Sequence, residues 1–317
     1  MSDNGDILIP TIDLQAVDLA SQIGEIYSTV GFAYLANHRV APHLVDAAFA
    51  ASKAFHQLPL AEKMAIEINE QHRGYMPIDT STTKTSTIAR VTRPNQSASL
   101  MVMHEVDLSR VQSEPLAGAN QWPAGLAEIR EPLLAYVAAM ERVGRVLVTA
   151  IERALGAPPN ALLQHFQRPT TFLRLLHYPA GNRTEADGYF GSAPHSDYGF
   201  LTLLAQDDVG GLQVRGADGA WLDVAPKPGT FVLNTADILH RWSNGRLIST
   251  PHRVLPATDA DRYSLPFFFD PNVQTVVKPL TSCVQPGQAP SFQPVVYGDY
   301  LMHRLRSNHS QHQDPTR

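Results

Sequence analysis

The chain has 317 residues, 44% hydrophobic and 17% charged, a composition of packed globular proteins that excludes disordered and fibrous classes. Its net charge of -5 argues against a nucleic-acid or anionic-membrane partner, since either requires a basic face. A single cysteine, Cys283, excludes an internal disulfide and any thiolate-held zinc or iron–sulfur centre, leaving a metal to the 13 His and the carboxylates.

The opening MSDNGDILIPTIDL has no positive start before an apolar core, and no run of about 18 apolar residues follows. The expectation is a soluble cytoplasmic chain without signal peptide or membrane span. Residues 9–14 read as a short strand with Pro10 at a sheet edge, and Asp13 is placed to cap a helix over 16–30. Gly31 stops that helix, 32–35 read as a buried strand, and helices follow over 42–57 and, opened by Pro59, over 60–64. From 69 to 123 the periodicity is lost, and the Thr- and Ser-rich stretch 79–99 is either a lid or a surface insertion.

An apolar stripe from Leu126 to Leu155, closed by Gly156, predicts a long helix over 126–155 laid against a sheet. Between about 170 and 270 short β-type runs recur between Gly, Pro and Asn, the pattern of a sandwich or jelly roll. A closing helix is expected over 297–307, then a frayed polar tail over 308–317. The fold class is mainly β with α: a jelly-roll core supported by N-terminal and long central helices. Residues 1–125 form an N-terminal α/β region with a lid loop over 69–123. Residues 126–317 form the core, motif-bearing over 168–272, and the two make one compact unit.

Three groups of residues could carry chemistry. In His195-Ser196-Asp197 the extended backbone sends positions i and i+2 to one side, so His195 and Asp197 can reach a common point. That spacing is weak alone, because His312-Gln313-Asp314 repeats it in the polar tail. His252, in Ser249-Thr250-Pro251-His252-Arg253-Val254, strengthens it. Two His and one carboxylate on one face leave three open octahedral positions, which suits non-haem iron(II) and oxygen chemistry. Arg262-Tyr263-Ser264 again projects two side chains to one face, and a guanidinium fork beside a hydroxyl receives a carboxylate. Pairing of Arg262 with an internal Asp or Glu is the alternative.

Taken in order, this set resembles the iron(II)- and 2-oxoglutarate-dependent dioxygenases, in the branch similar to isopenicillin N synthase. The likeness runs through HSDYGFLTLLAQDDVGGLQV at 195–214, PGTFVLNTADILHRWSNGRLISTPHRV at 228–254 and RYSLPFFFDP at 262–271. IPTIDL at 9–14 and GFAYLANHRV at 31–40 belong to it as well, so that it spans about 8–305. The resemblance implies a double-stranded β-helix core with His195, Asp197 and His252 as iron ligands. Arg262 and Ser264 would grip the far carboxylate of 2-oxoglutarate, with Tyr178 hydrogen-bonding the same group. Arg174, if inward, could meet the cosubstrate's other carboxylate or an acidic substrate. Plant relatives often have Asn where this chain has Leu176.

The implied cofactors are Fe(II), 2-oxoglutarate and O2, with ascorbate as a stimulant. The implied reaction oxidises a small-molecule metabolite, most often by hydroxylation, and releases succinate and CO2 with no obligate protein partner. Three alternatives stand beside it. One is an Fe(II) oxidase that keeps the Arg-x-Ser pair without using 2-oxoglutarate, another is zinc in the same triad performing hydrolysis, and the third is a non-catalytic jelly-roll binding protein. Of the remaining polar residues, Asn234 and Asp237 are expected to fix their loop, His240 to be structural, and His177 to face away from Tyr178. His72, Arg73, Tyr75 and 79–99 are candidates for substrate contact, and Trp242 and Phe267 to Phe269 for the core, with one phenylalanine lining the pocket.

Overall fold

The computed structural model describes residues 9–84, 86, 88, 89, 91–105 and 115–308. The N-terminal part contains β1 (Thr11–Asp13), α1 (Leu19–Thr29), β2 (Phe32–Ala36), α2 (Pro42–Gln57), α3 (Leu60–Met64), β3 (Gly74–Met76) and β4 (Ala98–Met103). The long α4 (Arg130–Ala154), with Pro132 tolerated in its first turn, leads into β5 (Thr170–Tyr178), β6 (Ser192–His195), β7 (Leu201–Gln206), β8 (Leu212–Arg215) and β9 (Trp221–Asp223). Then come β10 (Phe231–Thr235), α5 (Asp237–Trp242), β11 (His252–Val254) and β12 (Arg262–Asp270). A small pair, β13 (Val276–Val277) and β14 (Val295–Val296), precedes α6 (Tyr297–Asn308).

Two sheets build the jelly roll. The larger has the order β1-β2-β10-β7-β12-β5-β4-β3 and the smaller β6-β11-β8-β9. Strand alternation decides which side chains lie between them. Along β5, Leu176 and Tyr178 point inward and meet Leu212, Val214 and Val254 of the small sheet in one apolar cluster. Leu173 and Leu175 point outward and join Phe267 and Phe269 of β12 under the helices, packed with Phe55, Tyr136 and Met140. Gly144 lets α4 approach, since a Cβ there would stand 2.6 Å from the Phe269 ring. Burying two faces of one sheet in this way supplies most of the fold's hydrophobic stabilisation.

The expected helices over 42–57 and 60–64 coincide with α2 and α3. Two local expectations are corrected. Residues 69–123 are not one irregular loop, because β3 and β4 within them pair with each other and β4 with β5. All six residues of β4 are buried, so its sequence Ala-Ser-Leu-Met-Val-Met shows a continuous run rather than an alternation. Asp13 does not cap α1. Its carboxylate accepts from the Gln15 backbone N–H and the Asn37 side chain, and α1 begins only at Leu19. The His312-Gln313-Asp314 repeat and the tail beyond Asn308 lie outside the described residues.

Candidate active site

His195 closes β6 and His252 opens β11, and antiparallel pairing sets these two residues opposite each other. Their rings lie 4.3 Å apart, and each Nε2 is 3.7 Å from Asp197 Oδ1. One ligand atom from each of the three side chains falls within 4.8 Å of the others. The opposite ring nitrogens are engaged elsewhere. His195 Nδ1 lies 2.8 Å from the Ala193 carbonyl and His252 Nδ1 3.3 Å from the Thr250 carbonyl. A carbonyl only accepts, so both Nδ1 atoms carry the proton and both Nε2 lone pairs face the common point. Burial and then the neighbouring His252 pull the His195 imidazole down to about 4, which keeps it neutral and able to ligate.

Asp197 is held from behind. Its Oδ2 accepts from Thr202 Oγ1 at 2.5 Å and from Asn234 Nδ2 at 2.8 Å, which leaves Oδ1 for the centre. Burial pushes this carboxyl up, but the His252 and His195 rings and the two hydrogen bonds outweigh it and hold it below its ordinary range. Asn234 therefore does more than fix its loop. From β10, the strand that pairs with that of Thr202, it orients Asp197, 37 residues away. Removing such an orienting bond typically costs about 10- to 100-fold in metal affinity. Thr202→Val should weaken iron(II) binding by roughly that factor with the fold intact, as read by anaerobic metal titration. Unchanged affinity would show that Asp197 needs no such support.

Deeper in the jelly roll, Arg262 is opposite Tyr178 and Ser264 opposite Leu176. Arg262 is 1% exposed, as is Ser264. The guanidinium donates through Nη2 to Gln206 Oε1 at 3.1 Å, while its Nε and Nη1 and the Ser264 hydroxyl are buried without partners. The Tyr178 ring lies 4.7 Å from the guanidinium carbon, as a stacking wall. No Asp or Glu pairs with Arg262 among the described residues, so the internal ion-pair alternative is not what the fold builds. Buried donors left open in this way mark the place of an absent acceptor.

A cavity of about 120 Å³ opens beside the triad, reached by His195, Asp197 and Arg174. Of the other candidates, His72 and Phe268 join its wall, as do Ser81, Thr83 and Asn95 from the 79–99 stretch. Arg73 is spent on the carbonyls of Gln71, Leu116 and His104, and Tyr75 packs in the core. His177 faces outward to Asp261, His240 bonds the Leu247 carbonyl, and Asp237 accepts from Ser249 and Tyr300. Phe172, Leu301, Leu305 and Asp270 are lining residues that sequence reasoning missed. The period-2 ladder from Arg262 through Ser264 and Phe268 contains Asp270, and that was the available signal.

Asp270 accepts from the Tyr297 hydroxyl and the Phe200 backbone N–H, both at 2.6 Å, tying α6 and the turn after Asp197 to β12. Burial, offset in part by those two donors, pushes its carboxyl up to about 7. In the unfolded chain the group loses its proton near 3.8, so between about 4 and about 7 the native state binds the extra proton. Stability from this group is complete below that window and is lost as pH rises through it, by at most about 4 kcal/mol. Asp270→Asn should thus gain thermal stability relative to the parent as pH rises from 4 to 7.5. A gap between the two proteins that ignores pH would remove this role.

The model of the 2OG-Fe(II) oxygenase superfamily matches residues 169–271, and that of the N-terminal part of the non-haem dioxygenase in morphine synthesis matches 9–125. The chain is 32% identical over 293 residues to the 2-oxoglutarate-Fe(II) type oxidoreductase hxnY of Emericella nidulans, covering 89% of this chain and 82% of that protein. It is 29% identical over 313 residues to homoarginine-6-hydroxylase 2-ODD-233 of Oryza sativa subsp. japonica, covering 93% and 91%. A full-length Neurospora crassa protein, solved in complex with alpha-KG and thymine, superposes with a TM-score of 0.82 at 27% identity, covering 96% of this chain and 98% of that one.

Proposed function

Because the chain belongs to the 2OG-Fe(II) oxygenase superfamily, we propose that His195, Asp197 and His252 hold its iron(II) and that Arg262 and Ser264 anchor the far carboxylate of 2-oxoglutarate. The protein is an oxidoreductase that uses Fe(II), 2-oxoglutarate and O2. Bound by the triad, iron(II) supplies the redox chemistry that couples oxidation of a substrate C–H bond to conversion of 2-oxoglutarate into succinate and CO2. Two imidazoles and one carboxylate form a nitrogen–oxygen donor set that fits this metal. The observation that carries the reading is the convergence of those three ligand atoms within 4.8 Å. The buried guanidinium with two open donors supports the cosubstrate end.

The remaining work belongs to side chains. Arg262 and Ser264 fix one end of the cosubstrate, so it enters in one orientation. The Tyr178 ring stacks on Arg262 and narrows the choice of rotamer. Phe172, Phe268, Leu301 and Leu305 give the cavity apolar walls that exclude water from the reacting bond. The substrate is a small metabolite, as the cavity size and the small ligands named for the relatives, homoarginine and thymine, both favour. The described residues of 1–125 provide strands β1–β4 at the two ends of the larger sheet and part of the cavity wall, while those of 126–317 provide the proposed ligands, both as parts of one unit. No helix among the described residues is long and apolar enough to cross a membrane. Succinate release should match oxygen uptake mole for mole in the presence of substrate. Oxygen uptake with no succinate would instead favour an iron(II) oxidase on the same fold.

A further inference from the structure

The cavity beside the triad contains a cation that the reaction described so far does not use. Among its described lining residues Arg174 is the only Lys or Arg, set against Phe172, Phe268, Met101, Leu301 and Leu305. Arg174 lies on the inner face of β5, two residues before Leu176. Its Nη2 donates to the Ser99 hydroxyl at 3.1 Å, and its Nε is buried with no partner. No ion pair involves it among the described residues. Arg174 is part-buried on the cavity wall, and this burial lowers its pKa from the ordinary guanidinium value, with Asp197 among the groups that offset the shift. A guanidinium held largely out of water with no ion-pair partner is costly to the fold, and an arriving anion offsets that cost.

We propose that Arg174 is the anion receptor of the substrate pocket and that the substrate is a small monocarboxylate, its body resting in the corner between Phe172 and Phe268. Those two rings meet edge to face with centroids 6.3 Å apart, a surface suited to a ring or short chain. The fork offers parallel donors to a carboxylate, and Ser99, already accepting from Arg174, keeps its own O–H to donate. The Asp197 carboxylate shares the cavity wall and disfavours a doubly charged anion such as phosphate.

The cosubstrate does not account for Arg174. Tyr178, level with Arg262, is four residues further along β5, about 13 Å at the usual rise per residue. Arg262, Ser264 and Tyr178 are also absent from the cavity wall that Arg174 joins. The inference rests on the proposed iron site only for where oxidation occurs, since the receptor is read from Arg174 and its own neighbours.

The test uses the anaerobic protein loaded with Fe(II) and 2-oxoglutarate, titrated by calorimetry with the acid–amide pairs benzoate and benzamide, and hexanoate and hexanamide. In at least one pair the acid should bind about tenfold more tightly than its amide, and Arg174→Gln should bring the two within about threefold. Half-saturating 2-oxoglutarate should change by less than about threefold in the same variant. Equal binding of acid and amide, or a preference that survives Arg174→Gln, overturns the proposal. So does a large loss of 2-oxoglutarate affinity with the acid preference intact, which would give Arg174 to the cosubstrate. The iron reading is followed separately by the visible absorption of the Fe(II)–2-oxoglutarate complex. If that absorption is missing from the parent protein the iron reading fails, and the acid preference is then read on metal-free protein.

Discussion

His195→Ala and Asp197→Ala should each reduce turnover to background and cost the protein its stoichiometric iron(II). Each residue would supply one of the three proposed donors, and Ala puts nothing in its place. The two substitutions act differently on the rest of the site. Without His195 the centre keeps one imidazole and one carboxylate, and the Ala193 carbonyl loses its donor. Without Asp197 the two imidazoles lose the carboxylate 3.7 Å from each, the Thr202 hydroxyl is left with no acceptor, and the Asn234 amide keeps only its long bond to the Thr235 carbonyl. Leaving buried donors unsatisfied costs about 1–3 kcal/mol each, so Asp197→Ala should also be the less stable protein. Metal analysis on anaerobically prepared protein with parallel succinate assays checks both. Near-normal activity in either variant would remove the triad, and zinc with hydrolytic turnover in the parent would replace the iron.

Arg262→Ala should leave the maximal rate largely intact and raise the 2-oxoglutarate demand. Truncating one partner of a buried, hydrogen-bonded charge pair costs about 2–5 kcal/mol, or roughly 30- to 5,000-fold in half-saturating concentration. Arg262→Lys should recover only part of this, since an ammonium cannot reproduce the fork that meets two carboxylate oxygens. Succinate formation across a 2-oxoglutarate series reads both variants. An unchanged half-saturation would mean that the open donors beside Ser264 serve some other anion.

The clustering of His195, Asp197 and His252 was legible because it depends on strand alternation and on an ordered spacing over a shared frame. The inward face of Arg262 and Ser264 follows from the same rule. What stayed hidden depends on contacts between distant strands. Asn234 reaches Asp197 only because β10 pairs with β7, where Thr202 stands five residues after Asp197, and nothing in the chain around Asn234 marks an orienting role. β4 was obscured because both its faces are buried, which erases the alternation by which strands are recognised. Leu301 and Leu305 read as one stripe of a closing helix, and only packing shows that the stripe roofs a cavity.

The peptide groups around Ala193 join two parts of the molecule that serve different ends. The Ala193 carbonyl sets the tautomer of His195, and its N–H donates to Asn95 Oδ1, whose amide in turn reaches Ser81 and Thr83. The segment that lines the cavity is thus fastened to the backbone that aims the His195 ring. Evolution cannot remodel this wall for a new guest without disturbing the reactive centre, unless Asn95 or an equivalent acceptor is retained. Tolerance to change should therefore be lowest at Asn95 and rise towards the outer part of the segment, so that selectivity diverges there first.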